Sequence, residues 1–303
     1  MSDHESGTPS LDPQWLPSHI DTSVAHPARR YNYWLGGKYN FPADREAGDA
    51  VTAGYPAIRI AALENRAFLR RAVTVLAEEA GVRQFLDIGA GLPAADNTHE
   101  VARRVAPESR VVYIDNDPLV AVTADALLTG GSDLGVTDYV EADVRTPDAI
   151  LAAATGTLDF GQPIALMLLA VLHFISDRDD PHGIVAQLVG ALAPGSYLVL
   201  SHAGSDLIPE DHLTLIAEGR FGPFWPRSRE QIAHFFDGLE CCHQESRRWR
   251  TGAPTTNPSH GRRPPRPRLT ARSPGSPDPA TDHVRAQVYP SWMVTGRRRI
   301  SGT

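Results

Sequence analysis

The chain has 303 residues, 42% hydrophobic and 21% charged, which is enough apolar content for one large or two small domains with a sizeable core. Its formal net charge of −7 argues against non-specific nucleic-acid binding, and its two cysteines, the adjacent Cys241 and Cys242, exclude a disulfide scaffold and a four-thiolate zinc site. No apolar run approaches the roughly 18 residues of a membrane span, and the N-terminus lacks a basic-then-apolar leader, so a soluble, cytoplasmic protein is expected.

Residues 1–25 are polar and proline-spotted and read as a flexible arm. A helical cap segment follows over 26–82. Its first part, His26 to Phe41, gathers five aromatics around Gly36-Gly37 and predicts a short helix ending at the glycines. Helical spacing continues over 43–53 and 57–80, where Gly81 stops it. From residue 83 to 240 strands and helices alternate. Strands are predicted at 84–88, 110–115, 138–143, 163–174 and 197–202, and helices at 97–104, 118–128, 147–154 and 183–192. The stretch Pro163–Phe174 is the most continuously apolar and reads as the central, doubly covered strand. Two further helices, 209–218 and 228–236, close the segment. Five strands separated by helices predict an α/β fold, a Rossmann-like doubly wound and mostly parallel sheet.

The composition changes after residue 240. Residues 241–303 hold 12 arginines against Glu245, Asp278 and Asp282, a net charge of +9, leaving −16 for the rest, and nine of the 25 prolines. Residues 251–282 have almost no large apolar side chains and read as disordered, whereas 284–294 could supply a terminal strand or hairpin turning at Pro290-Ser291. This atypical tail has two competing readings: a long insertion in a terminal hairpin, or the product of a shifted reading frame, which its Arg, Pro and Ser content favours. A nucleic-acid-binding tail is the third reading, weakened by the lack of aromatics among Arg262–Arg268. Without a closing hairpin the fifth strand would be an exposed edge.

In an open α/β sheet the ligand sits beyond the carboxyl ends of the strands, where strand order reverses. Asp87, Asp115 and Asp143 fall at three such ends, 28 residues apart each time. An acid after the second strand suits the two hydroxyls of a ribose, and Gly89 and Gly91 let a ligand approach the backbone. Gly89-Ala90-Gly91-Leu92-Pro93-Ala94 also satisfies a dinucleotide fingerprint, so a nicotinamide cofactor is an alternative. Asp87 weighs against it, because a carboxylate beside the glycines repels a pyrophosphate. A ligand with a ribose, an adenine and a cationic amino-acid tail, such as S-adenosylmethionine, would welcome it. Asp143 would then accept from the adenine exocyclic amine.

The segments Phe85-Leu86-Asp87-Ile88-Gly89-Ala90-Gly91-Leu92-Pro93, Tyr113-Ile114-Asp115-Asn116-Asp117-Pro118 and Glu141-Ala142-Asp143-Val144-Arg145 together resemble a class I S-adenosylmethionine-dependent methyltransferase. More narrowly, residues 26–46, Asn65-Arg66-Ala67-Phe68-Leu69-Arg70-Arg71, Ala170-Val171-Leu172-His173-Phe174-Ile175 and Pro194–His202 resemble a family of S-adenosyl methyltransferases long filed under unknown function. The resemblance spans about 26–240. It implies the methyltransferase fold and S-adenosyl-L-methionine as cofactor, with Asn116, Val144 and Ala170 joining Asp87, Gly89, Gly91, Asp115 and Asp143 around it. It does not supply the acceptor, which we expect to be a small molecule; oligomeric state is left open.

Methyl transfer from a sulfonium depends chiefly on alignment in a water-poor site, with a base where the acceptor carries a proton. His173 is the base candidate, the alternative being a ring that shapes the pocket; His202 has the same two readings. Tyr31, Tyr33, Trp34 and Tyr39 are candidates to pack against the sulfonium, by cation–π contact, or against the acceptor. Lys38 and Asn40 are possible polar contacts, and Arg66 a partner for the cofactor carboxylate. No histidine pattern of a metal site and no Gly-x-Ser-x-Gly nucleophile motif occurs. Because no catalytic constellation stands out, a cofactor-binding protein without turnover is the alternative from a different class.

Overall fold

A computed structural model describes residues 16–128, 135–241, 287–289 and 293–299. The chain divides into two units, residues 1–242 with 286–303, and residues 243–285. The second unit, the expected disorder at 251–282, the turn at Pro290-Ser291 and most of the 1–25 arm lie outside the described residues.

Three helices come first: α1 (Pro27–Trp34), α2 (Pro42–Gly54) and α3 (Ile58–Glu78). Then follow β1 (Gln84–Ile88), α4 (Thr98–Val105), β2 (Arg110–Asp115), α5 (Pro118–Leu128), β3 (Thr137–Glu141), α6 (Pro147–Ala154), β4 (Ala165–Leu169), α7 (Pro181–Gly190) and β5 (Tyr197–Ala203). After β5 come α8 (Glu210–Ala217), α9 (Arg229–Ala233), β6 (Glu240–Cys241), β7 (Gln287–Tyr289) and β8 (Met293–Arg299). The helix starts are locally encoded. Proline occupies the first position of α1, α2, α5, α6 and α7, where its missing N–H has no intrahelical partner to lose. Ser228 and Gln231 form a reciprocal capping box on α9: Ser228 Oγ accepts from Gln231 N at 3.2 Å, and Gln231 Oε1 from Ser228 N at 2.8 Å.

The sheet order is β3-β2-β1-β4-β5-β8-β6, with β7 on β8. Strands β1 to β5 are mutually parallel, the doubly wound arrangement expected from the sequence. Every residue of β1 and β4 is buried, because these central strands are covered on both faces. Alternate residues Leu86, Ile88, Val112, Ile114, Leu166 and Leu168 face one way and pack with Ile150, Val185 and Leu188 of α6 and α7. The opposite face meets α3 and α4.

Two predicted strands end differently. The apolar run 163–174 supplies a strand only to Leu169. Ala170 then takes φ 56°, its N–H donating to Ser201 O and Oγ at 3.1 and 2.9 Å, and Leu172–Phe174 form a 3-10 turn. Likewise β3 stops at Glu141, so Asp143 stands in the loop beyond it. At the far edge β8 runs antiparallel to β5 from Tyr197↔Arg299 to Ala203↔Met293, so β5 is an interior strand. Among the described residues no helix is long and apolar enough to cross a membrane.

Candidate functional site

Strand order reverses between β1 and β4, since β2 and β3 lie on one side of β1 and β4 and β5 on the other. A cleft of about 700 Å³ opens over the carboxyl ends there, within the roughly 300–1,000 Å³ of small-molecule and cofactor sites. It is lined by Asp87, Gly89, Gly91, Asp115, Asn116, Asp143, Val144, Ala170, His173, Arg66 and Tyr31, so these residues, singled out in the sequence, share one cavity, whereas Tyr33, Lys38, Tyr39, Asn40 and His202 are not part of its lining.

The loop after β1 is shaped for backbone exposure. Gly89 N and Ala90 N both donate to Ile114 O, at 2.8 and 3.1 Å, bending the chain away from the strand. Gly89 has φ 73°, and a Cβ there would meet the Val171 side chain at 2.7 Å, so the position needs glycine on two counts. Asp115 accepts from Gly91 N at 2.8 Å through Oδ2 and from Asp117 N at 2.9 Å through Oδ1, which fixes the carboxylate across the mouth of β1 and β2. Asp87 accepts from Thr98 Oγ1 at 2.6 Å. Burial pushes both carboxyls up to about 6; the Thr98 hydroxyl and Arg66 charge offset this in part for Asp87, and the backbone N–H groups for Asp115. Asp143 is more open. It accepts from Arg145 N and Nη1 at 2.9 and 2.7 Å and from Asn116 Nδ2 at 3.2 Å.

The cap is attached to these strand ends by buried polar links that the sequence did not announce. Arg29 Nε and Nη2 donate to the two oxygens of Asp117, each at 2.8 Å, with both residues buried. Tyr31 OH donates to Ala62 O at 2.9 Å and accepts from Asn65 Nδ2 at 3.0 Å, while Ser201 Oγ donates to Asn65 Oδ1 at 2.8 Å. One chain of hydrogen bonds thus joins α1, α3, β5 and, through Ala170 N, the end of β4. The signal in the sequence was faint: each of these residues is a common type with no local pattern.

The aromatic segment divides. Tyr31 and Trp34 line the cleft. Tyr33 instead turns outward, its OH donating to Asp49 at 2.8 Å and Arg59 lying over its ring, and Tyr39 packs with Ile20, Phe41 and Leu119. Lys38 and Asn40 do not line the cleft either; Asn40 Nδ2 donates to Asn32 Oδ1 and Gly37 O at 3.0 and 2.9 Å, closing the Gly-Gly turn. A helix of 3.6 residues per turn cannot send residues 31 and 33 to the same face, which is the reason for the division.

His173 is buried, with Nδ1 accepting from Ala203 N at 3.3 Å and its ring packed on Phe174, His202 and Phe224. Burial, then the neighbouring His202 and Arg227, hold its pKa well below the usual histidine value, so the ring is neutral. His202 has its pKa lowered to about 3, chiefly by burial. Its Nε2 lies 3.0 Å from Arg227 Nη1 and its Nδ1 2.9 Å from Ala203 O, which fits the Nδ1–H tautomer and a structural task. Arg227, unnoticed in the sequence, also donates to Leu172 O, Ile175 O and Asp177, and so ties the loop after β4 to β5. Arg66 Nη2 donates to Ala95 O, Asp96 O and Asn97 Oδ1 at 2.8, 3.0 and 3.2 Å, while its buried Nε has no partner among the described residues.

Two buried carboxylates held up to about 6 form a floor that favours a cationic ligand and repels a pyrophosphate. The cleft residues therefore fit S-adenosylmethionine, whose sulfonium and ammonium would relieve the desolvated acids, better than they fit a dinucleotide.

The comparisons with known proteins agree. The chain is similar to a DUF574 family protein from Streptomyces avermitilis, with 38% identity over 93% of this chain and 99% of that one and a TM-score of 0.74. It is also similar to a protein from Thermobifida fusca, provisionally named a methyltransferase, with 33% identity over 95% of this chain and 99% of that one and a TM-score of 0.75. No curated protein matches. A family model described as S-adenosyl methyltransferase matches residues 13–264. The chain belongs to the S-adenosyl methyltransferase family: it is an S-adenosylmethionine-dependent methyltransferase.

Proposed function

We propose that the chain methylates a small-molecule acceptor held beneath the cap, with the cofactor laid along the ends of β1, β2 and β3. The observation that carries this reading is the continuity of one cleft from the strand-end acids to an apolar wall of Trp34, Tyr55, Ile208 and Phe224. Bound S-adenosylmethionine supplies a methyl group on a sulfonium, open to displacement by an aligned nucleophile.

In this reading Asp115 holds the ribose hydroxyls, and Gly89 and Gly91 allow the approach of the ligand to the backbone. Asp143 takes the adenine amine, with Asn116 and Val144 beside the base and Ala170 beneath. Asp87 stabilises the ligand ammonium, and Arg66, through the Nε left over from the 95–97 loop, its carboxylate. Tyr31 offers a ring to the sulfonium. Where the acceptor carries a proton, His173 is placed to take it. Its Nδ1 is engaged by Ala203 N–H, so proton acceptance falls to Nε2 and requires the other tautomer and loss of that hydrogen bond. The apolar wall excludes water from the transfer.

Calorimetric titration with S-adenosylmethionine tests the assignment. Saturable binding weakened at least tenfold in Asp115→Ala, with none for NAD, is expected. Unchanged affinity in Asp115→Ala would remove the ribose role, and NAD binding would overturn the cofactor placement. Release of S-adenosylhomocysteine with a small-molecule acceptor panel then tests turnover.

A further inference from the structure

The cleft is electrostatically two-ended. Its lining acids, Asp87, Asp115 and Asp143, all come from the strand ends, whereas residues 24–66 and 208–224 add no acid to the lining. They add arginines. Arg66 is engaged by the 95–97 loop, and it is the guanidinium whose charge acts on Asp87. Arg220 is exposed and lies 3.6 Å from Glu218.

Arg30 is different. It is 9% exposed, and among the described residues its side chain makes one hydrogen bond, from Nη1 to Phe221 O at 3.1 Å. Its buried Nε has no partner among the described residues, and it forms no ion pair there. Asp44 is the acid whose charge acts on Arg30, and its two oxygens are spent on His26 N and Phe41 N, at 2.9 and 2.8 Å. A desolvated guanidinium held by a single carbonyl is unfavourable unless something else completes it. Its planar fork of donors matches a carboxylate, and the wall around it is apolar and aromatic.

We infer that Arg30 recognises the acceptor: the chain methylates a molecule with an aromatic or apolar body and a carboxylate, the carboxylate on Arg30 and the body against Trp34, Tyr55 and Phe224. This inference rests on the reading of the cleft given above, and it adds the class of acceptor. The other source of a carboxylate in the cleft is the amino-acid end of the cofactor, for which Arg66, beside Asp87, is the better placed cation.

The test uses the full chain saturated with S-adenosylhomocysteine and titrated with benzoate, phenylacetate and 2-naphthoate, each paired with its neutral alcohol. At least one acid is expected to bind tenfold or more tighter than its alcohol. That preference disappears in Arg30→Gln and is partly kept in Arg30→Lys, while S-adenosylhomocysteine affinity stays within twofold in both. Equal affinity of acids and alcohols, no binding of any acid, or an unchanged preference in Arg30→Gln would overturn the inference. A tenfold loss of S-adenosylhomocysteine affinity in Arg30→Gln would overturn it too, by moving Arg30 to the cofactor. Should Arg30→Gln not fold, Arg30→Lys carries the test, because it keeps the charge and loses the fork: an unchanged preference there overturns the inference. Failure of the unaltered chain to bind S-adenosylhomocysteine sinks the cleft assignment instead.

Discussion

At the scale of single residues, Asp87 and Asp115 set the pH behaviour of the site. Both carboxyls stand at about 6 against 3.8 for the free side chain, with burial as the main cause. Such groups stabilise the fold while protonated, and that stability is lost as pH rises through about 6. For the ligand-free protein we therefore expect a falling melting temperature between about pH 4 and pH 7, measurable by scanning calorimetry. Asp87→Asn removes one ionisation while its amide oxygen can still accept from Thr98. A displacement from 3.8 to about 6 corresponds to on the order of 3 kcal/mol, so this variant should melt higher than the parent at pH 8. It should also bind S-adenosylmethionine at least tenfold more weakly. A variant both destabilised at pH 8 and unaltered in affinity would show that Asp87 has a structural task only. In the parent, cofactor affinity should fall as pH drops through about 6, because protonation removes the anion that a cationic ligand needs.

At the scale of elements, the loops after β1 and β4 are built against each other. Gly89 at φ 73° faces Val171, the residue that follows the left-handed Ala170. Gly89→Ala combines a backbone cost of roughly 1–2 kcal/mol with a steric one, and we expect a lower melting temperature and weaker cofactor binding. Adding Val171→Ala should return part of the loss, since it clears the contact and leaves the backbone cost. A double variant no better than the single would place the whole effect in the backbone. The sheet edge is the second element-level matter. β8 pairs along the whole of β5. A chain ending at residue 240 would leave the outer edge of the seven-residue β5 unpaired, and it should associate on size-exclusion chromatography and melt several degrees lower. A monodisperse truncated chain of unchanged melting temperature would contradict this.

At the scale of the molecule, the parallel order of β1 to β5, the reversal between β1 and β4 and the cap over the cleft together make the site. The sequence by itself determined the class of fold and the positions of β1, β2, α5 and α6 to the residue. It also determined that Asp87, Asp115 and Asp143 share one end of the sheet. These features rest on local causes: proline at helix starts, β-branched and apolar runs of strand length, and a strand–helix repeat that returns each acid to the same edge. The tertiary structure alone decided the rest. It ended the strand of the apolar run 163–174 at Leu169, where Ala170 turns to φ 56° with its N–H held by Ser201, a neighbour only in space. It sent Tyr33 and Tyr39 away from the cleft and left Arg30 buried without an ion pair among the described residues. It also formed the Arg29–Asp117 pair across 88 residues of chain and the Arg227 contacts that order the loop after β4. Each of these depends on partners far apart in sequence, and residue type at one position carries no record of which distant group will arrive beside it once the sheet has closed.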